Sequence, residues 1–375
     1  MNSKQRYKQT ILFGNPDKVP LSPGEPREST LAMWYKQGLP EGSDYFEVLC
    51  DLLGLDENPR TIRGRHKVSF KMIPEFEEKV LEHKDGHYLV QDWMGAITEI
   101  SDEFDYTYIR EAKDFVTRKW HKFPVETRED WEEMKKRFRP DSPGRFPKNF
   151  KDKCRELNNS NKLINVHFNG PFWQLREWCG FENLCILTIE DPAFVHEMAS
   201  FWTDFASKVL EKIFKELRVD VMSLSEDMAY KAHSMISPAM TREFLVPSYK
   251  RWVSQAKENG CSIIDMDSDG FIGELIPIWI EEEINCCHPI EVAAGNDIVE
   301  FRNTFGKKMA YTGGIDKRAI AAGGQVMRDE VMRVVPPLLR DGGFIPGCDH
   351  GVPPDISWSC YVEYAKLLAQ LCGWL

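Results

Sequence analysis

The chain has 375 residues, 42% of them hydrophobic and 12% aromatic, with a formal net charge of −11. That is enough for one large domain or two ordinary ones, and the acidic balance, with no basic stripe to offset it, excludes a nucleic-acid partner. No apolar run approaches the roughly 18 residues of a membrane span, and the opening MNSKQRYKQTILFGNPDKVP is too polar for a signal peptide.

In chain order, KVPLSPGE (18–25) and RHKVSFKMIP (65–74) read as strands. Residues 85–112 alternate at period two and predict an inserted antiparallel ribbon, and RFRPDSPGRFPKNFKDK (137–153) predicts a loop. From residue 160 short apolar runs alternate with amphipathic helices. The runs are KLINVHFNG (162–170), VDVMSLSED (219–227), CSIIDMDSD (261–269), INCCHPIE (284–291), KMAYTGGID (308–316) and GFIPGCDH (343–350). Between them Phe194, Met198, Phe201, Trp202, Phe205, Val209 and Ile213 recur at helical spacing, and SPAMTREFLVPSYKRWVSQAKENG opens with a Ser cap and closes on Gly. Strands alternating with helices give a parallel sheet, and eight runs predict a closed (β/α)8 TIM barrel: an α/β chain of one domain over 1–375, carrying the β insertion at 85–112. No Gly-rich dinucleotide fingerprint follows any strand. Ten cysteines without a CxxC pair read as reduced thiols in a cytoplasm, most of them small buried hydrophobes.

In such a barrel the C-terminal strand ends build the active-site mouth. Those ends supply Asn169, then Glu226 and Asp227, then Asp265, Asp267 and Asp269, then His288 and Glu291, Asp316, and Cys348, Asp349 and His350. IIDMDSDG opens like an EF-hand loop, but Ile276 stands where the twelfth-position Glu must be, so calcium is excluded in that form. Strand alternation puts Asp265, Asp267 and Asp269 on one face. Three carboxylates side by side need either a cation or a retained proton. Plainer roles exist for several of these residues: Asp269 also fits a helix cap, His288 a packed histidine, and Glu291 and Asp316 loop anchors.

SEDMAYKAHSMISPAMTREFLVPSYKRW, DMDSDG, GGIDKRAI and PGCDHGVPPDISW together resemble the uroporphyrinogen decarboxylase superfamily, from KVPLSPGEP to the final helix. True decarboxylases of that superfamily carry an arginine-rich segment after the first strand; here PGEPRESTLAMWYKQG holds a single arginine, Arg27. The chain is therefore more similar to the corrinoid-dependent methyltransferase branch. That branch has a His-x-Cys-Gly zinc motif, matched here by Asp267-Ser268-Asp269-Gly270, and a later ligand that falls at Cys348 or His350. The resemblance implies O-demethylation: a methyl group moves from a methoxylated aromatic to a corrinoid (cobalamin) presented by a partner protein docked at the barrel mouth. Asp267, Glu226 and His350 are then the catalytic candidates, and Asn169, Asp227, Tyr230 and His288 the substrate-binding ones. Asp267, Asp269, Cys348 and His350 are candidate ligands for zinc, with a protonated Asp267 as the metal-free alternative. Phe172, Trp173, Tyr230 and Trp358 are candidates to hold the flat ring. A homodimer, and neither nucleic acid nor membrane, completes the expected partners. Two alternatives stand beside this reading, a porphyrinogen-type decarboxylase and a non-catalytic protein that binds corrinoid or an aromatic ligand.

Overall fold

The computed structural model describes residues 1–103 and 117–375. Eleven strands fall into two sheets among these residues. The first is parallel and seven-stranded, in the order β1 (Arg63–Gly64), β6 (Leu163–Asn169), β7 (Val221–Ser225), β8 (Ile263–Asp267), β9 (Cys286–His288), β10 (Ala310–Ile315), β11 (Phe344–Cys348). It curls into a half-barrel with helices returning over its outer face. The second is antiparallel: β2 (Lys79–Lys84), β3 (His87–Gln91), β4 (Ile97–Ser101), β5 (Arg118–Lys122).

The six runs from residue 162 onward all form strands. The two earlier runs do not, and both reasons are local. In VPLSPGEP the prolines Pro20, Pro23 and Pro26 lack the N–H a ladder needs. The segment still runs beside β11 through its carbonyls: Cys348 N–H donates to Pro23 O (3.1 Å) and Val352 N–H to Glu25 O (2.8 Å). Of the run expected at 65–74, pairing is confined to its upstream edge, where Arg63 and Gly64 meet Leu163 and Ile164. Lys67 then takes a positive φ of 59°, which ends the extended path. The sheet thus has seven hydrogen-bonded strands, not eight. The antiparallel insertion is wider than expected, running from Lys79 to Lys122; positions 104–112 of the expected ribbon lie outside the described residues.

The helix Pro192–Glu216 starts where Asp191 accepts from Phe194 N–H (3.1 Å) and buries the predicted stripe, with Phe201 half-buried at its edge. The next one, capped by Ser237 on Met240 N–H, widens into a π-turn over Thr241–Leu245 before continuing to Glu258. Pro247 has no N–H to carry the α-ladder, and Val246 N–H reaches back to Thr241 O instead. No helix among the described residues is long and apolar enough to cross a membrane.

Inside the curl, the lower inward positions Leu163, Val221, Ile263, Cys286, Ala310 and Ile345 pack with Tyr7 and Ile11 from the helix Ser3–Ile11 into an apolar floor. Two residues further along each strand the inward side chains turn polar: Asn165, Ser223 and Asp265, then His167, Ser225, Asp267 and His288. On β8 and β9 one inward step, from Ile263 to Asp265 and from Cys286 to His288, changes apolar to ionisable and puts the chemistry directly above that floor.

Candidate functional site

Register brings the central groups together. Ser223 pairs with Asp265, Ser225 with Asp267, and Asp267 with His288. His288 Nδ1 lies 3.1 Å from Asp265 Oδ1, and its Nε2 is 3.7 Å from Asp267 Oδ1. Ser225 Oγ donates to Asp267 Oδ2 (2.8 Å) and Ser223 Oγ to Asp265 Oδ2 (3.3 Å). Burial alone lowers the His288 pKa, but the carboxylates of Asp265 and then Asp267 outweigh it and hold the imidazole at about 9. Asp265 in turn is buried; burial raises its pKa, and the His288 charge brings it below the ordinary value. His288 is thus a cation inside a ring of acceptors, where a plain packed histidine was the simpler expectation.

At the rim, Asp269 lies beyond the end of β8 and binds His350, whose Nε2 is 3.0 Å from Asp269 Oδ2. Gly351 N–H (2.7 Å) and Arg27 Nη2 (3.3 Å) both point at His350 Nδ1, so that nitrogen accepts and Nε2 carries the proton toward Asp269. Asp269 does not cap the following helix, which begins only at Ile276. Gly270 takes φ +80°, and a Cβ there would come within 2.4 Å of the Ala229 carbonyl, so glycine is needed for the strand end to pass this close. Asp227 holds a left-handed φ of 42° and is gripped by Arg176, with Nη2 3.0 Å from its Oδ2 and Nη1 2.9 Å from its own carbonyl. Burial raises the Asp227 carboxyl above its usual range.

A cavity of about 440 Å³ opens at these strand ends, lined by Glu25, Asp227, Asp267, Asp269, His288 and His350, among others. Ser22, Gly24 and Thr312 also line a second cavity of about 400 Å³ nearer the floor, walled by Arg60, Arg63 and Arg65. On the opposite flank Trp173 separates the mouth from a third, aromatic-walled space of about 480 Å³ holding Phe70, Trp93, Phe168, Trp202, His167 and Asn169.

Several expected site residues sit elsewhere. Glu226 is wholly buried behind the mouth: it accepts from Tyr249 Oη and from Trp173 N–H (3.1 Å) at the start of the helix Pro171–Cys179, and burial raises its pKa to about 7. A carboxylate at the end of β7 beside the N-terminus of the helix that follows the neighbouring β6 satisfies that helix, and Glu226 does not line the mouth cavity. Asn169 faces the aromatic space, donating to Gln174 and Glu177. Tyr230 is 52% exposed on an outer ledge with Asp269 and Arg318. Phe172 and Trp358 belong to the core, Trp358 against Trp34 at 5.0 Å, and of the four expected ring-holders only Trp173 reaches the mouth cavity. Glu291 and Asp316 anchor loops, on Lys317 (3.3 Å) and Arg318 (2.8 Å), and Asp349 accepts from Val292 N–H and Lys317 N–H.

The four expected metal ligands do not gather. Asp267 is taken up by Ser225 and faces His288, Asp269 is taken up by His350, and burial pushes the Cys348 thiol up to about 12. Among the described residues no three His, Cys, Asp and Glu side chains converge as an ion would require. These residues do not fit a zinc centre. Sequence reasoning missed His167, Ser223 and Ser225, although period two back from Asn169 and from Asp227 would have found them, and it missed Arg63 and Arg65, which lay at the edge of a misplaced strand.

The family model for uroporphyrinogen decarboxylase (URO-D) matches residues 122–360, well over half of the chain. No curated protein sequence matches significantly. A methyltransferase from Methanosarcina mazei superposes over 99% of both chains at a TM-score of 0.60 with 11% identity, which shows a shared fold. A B12-independent methionine synthase from Shewanella sp. W3-18-1 aligns over 59% of this chain and 65% of its own, at 13% identity and a TM-score of 0.34.

Proposed function

The chain belongs to the uroporphyrinogen decarboxylase family, and within it we propose that this protein moves a methyl group from a methoxylated aromatic to the cobalt of a corrinoid carried by a separate protein. The observation that carries the reading is His288, held as a cation between Asp265 and Asp267 at the strand ends. An aryl methyl ether resists displacement because phenolate leaves poorly. The corrinoid supplies the nucleophile; what this chain supplies is the proton. His288 Nδ1 is committed to Asp265, while Nε2, at 3.7 Å from Asp267, is outside hydrogen-bond range and free to donate to an ether oxygen in the cavity. Its pKa of about 9 lies close to the ordinary phenol value near 10, so proton transfer to the departing oxygen is nearly balanced, as efficient general acid catalysis requires. As the C–O bond breaks, the oxygen takes the His288 proton and leaves as the neutral phenol; water at the mouth restores the imidazolium.

Glu25, Asp227, Asp267 and Asp269 around the same opening disfavour a polycarboxylate tetrapyrrole, whose charges would face theirs. Trp173 offers a flat wall beside His288. The mouth faces outward at the strand ends, where a second protein has access.

The test is anaerobic. The chain is mixed with a reduced corrinoid protein and a panel of methoxyarenes, and corrinoid methylation is followed by its absorption change. Methylation that needs all three components supports the reading. No change across methoxyarenes and methylated amines would sink it.

A further inference from the structure

We infer that Arg63 and Arg65 form an anion subsite inside the half-barrel, and that the aromatic substrate carries a carboxylate which they hold. The inference deepens the methyl-transfer reading and rests on it for the identity of the ligand.

The argument begins with three residues, Arg63-Gly64-Arg65. In an extended chain the outer two share a side and the middle one faces away. Gly64 is the outward one: a Cβ there would stand 2.7 Å from Leu157 Cδ2 of the helix Phe150–Asn158, so the backbone presses on that helix. Arg63 and Arg65 therefore turn to the barrel side, where both stay exposed to solvent and line the lower cavity together with Glu25, Asp265 and His288. Arg63 lies 5.5 Å from the Tyr7 ring centroid of the floor, and its charge is felt by Asp265 and His288, whose pKa values it lowers.

Within the wall of the lower cavity, this pair differs from Arg60 in its missing counter-ion. Arg60, in the same wall, is neutralised by Asp44 at 3.2 Å and lies flat on Phe46 at 3.9 Å. Arg176 is neutralised by Asp227 and Arg6 by Asp17. Among the described residues, Arg63 and Arg65 have no carboxylate within ion-pair distance. Two guanidinium groups facing a cavity in a chain of net charge −11 leave a place for a planar anion, which a guanidinium engages through paired N–H donors. The lower cavity adjoins the mouth cavity, and His288 lines both. A ring with its carboxylate on the arginines can place a methoxy group beside His288. The subsite then sets orientation: acid group down, ether up. Phosphate shares the anionic chemistry but lacks the ring that spans the two spaces.

Calorimetric titration of the full chain tests this with benzoate, 4-methoxybenzoate, neutral methoxybenzene and inorganic phosphate. Both benzoates should bind about 10-fold or more tightly than methoxybenzene. Arg63→Met and Arg65→Met should each weaken the benzoates by about 10- to 100-fold, the scale of a lost hydrogen bond to a charged group, and leave methoxybenzene unchanged. Arg63→Lys should recover part of the loss. Arg63 rests on Tyr7 of the floor and Arg65 does not, so the Arg65 variant remains informative if Arg63→Met melts early. Equal affinity for acid and neutral rings, or benzoate binding indifferent to both substitutions, would overturn the subsite. Phosphate displacing benzoate at equal concentration would overturn the carboxylate assignment. Benzoate has no methyl group to give and reports the subsite by itself; arginine-dependent binding of both benzoates, with no corrinoid methylation from 4-methoxybenzoate, would sink the methyl-transfer reading alone. Methylation from acid and neutral rings alike, unaffected by the arginines, would sink the subsite alone.

Discussion

His288 Nδ1 and Asp265 Oδ1 stand 3.1 Å apart on neighbouring strands, and Asp265 is the more deeply buried of the two. The aspartate fixes the ring and its charge from below; the other nitrogen looks into the cavity. A proton donor so placed is strongly oriented yet open to a ligand on one side, which is the division a general acid needs.

His288→Asn should reduce methyl transfer by about 100-fold or more if this ring protonates the leaving oxygen. In the natural protein the rate should fall as pH rises through about 9, because the proton is then lost. In the variant that alkaline limb should vanish. Retention of the limb would assign it to another group. Stability follows the same sign: a folded-state pKa raised from 6.5 to about 9 gives stabilisation that is complete below 6.5 and lost on the way up to 9.

Asp267→Asn keeps the size of the side chain and an acceptor for Ser225 but removes a charge that faces His288. Turnover should fall by about 10-fold or more, with the alkaline limb moved to lower pH because the imidazolium has lost part of its support. The fold should survive, since Asp267 is at the mouth. Unchanged activity and an unchanged pH profile would return Asp267 to a structural role.

Glu226→Gln should leave turnover within a few-fold, because Glu226 holds Tyr249 and a helix start without lining the mouth. Its effect should appear in stability. A carboxyl raised from 4.5 to about 7 makes the folded state the better proton binder, so wild-type stability declines from pH 4.5 to 7. The difference in melting temperature between wild type and variant should change across that window and be flat above it. A 100-fold loss of activity at unchanged stability would place Glu226 in the chemistry after all.

Chelation should leave activity intact. Asp267 is hydrogen-bonded to Ser225, Asp269 to His350 and His350 to the Gly351 N–H, and the Cys348 side chain is buried away from them. A site built on those four groups requires them deprotonated and convergent. Elemental analysis of active protein should find less than roughly a tenth of an equivalent of any transition metal, a level too low for a site that works by holding one. Stoichiometric metal together with chelator sensitivity would restore the zinc reading.

The alternation of strands and helices was legible because the runs after residue 160 are short and mostly buried, β7 and β11 throughout, while the long helices between them show one apolar stripe. The placement of the mouth followed from strand ends alone. What escaped was anything governed by backbone capping and by inward rather than terminal position. Glu226 looked like a mouth residue because it ends a strand; the N–H groups of Phe172 and Trp173 claimed it instead. His288 looked packed because it sits between Cys287 and Pro289, and its charge arises from two aspartates on the neighbouring strand, 21 and 23 residues away in sequence. Arg63 and Arg65 were invisible while residues 65–74 were read as the strand, since a shift of that edge changes which side chains face inward.

The apolar floor has a kinetic meaning. Tyr7 and Ile11 stopper the end of the half-barrel beneath the ionisable layer, so the strand-end opening is the doorway for both reactants. If a carrier protein must cover that doorway to reach the methyl group, a compulsory sequence follows: the small molecule is seated first, the carrier docks second, and the demethylated phenol departs only after the carrier has left. Excess carrier should then inhibit, by sealing vessels that are still empty, and raising the concentration of the aromatic should relieve that inhibition.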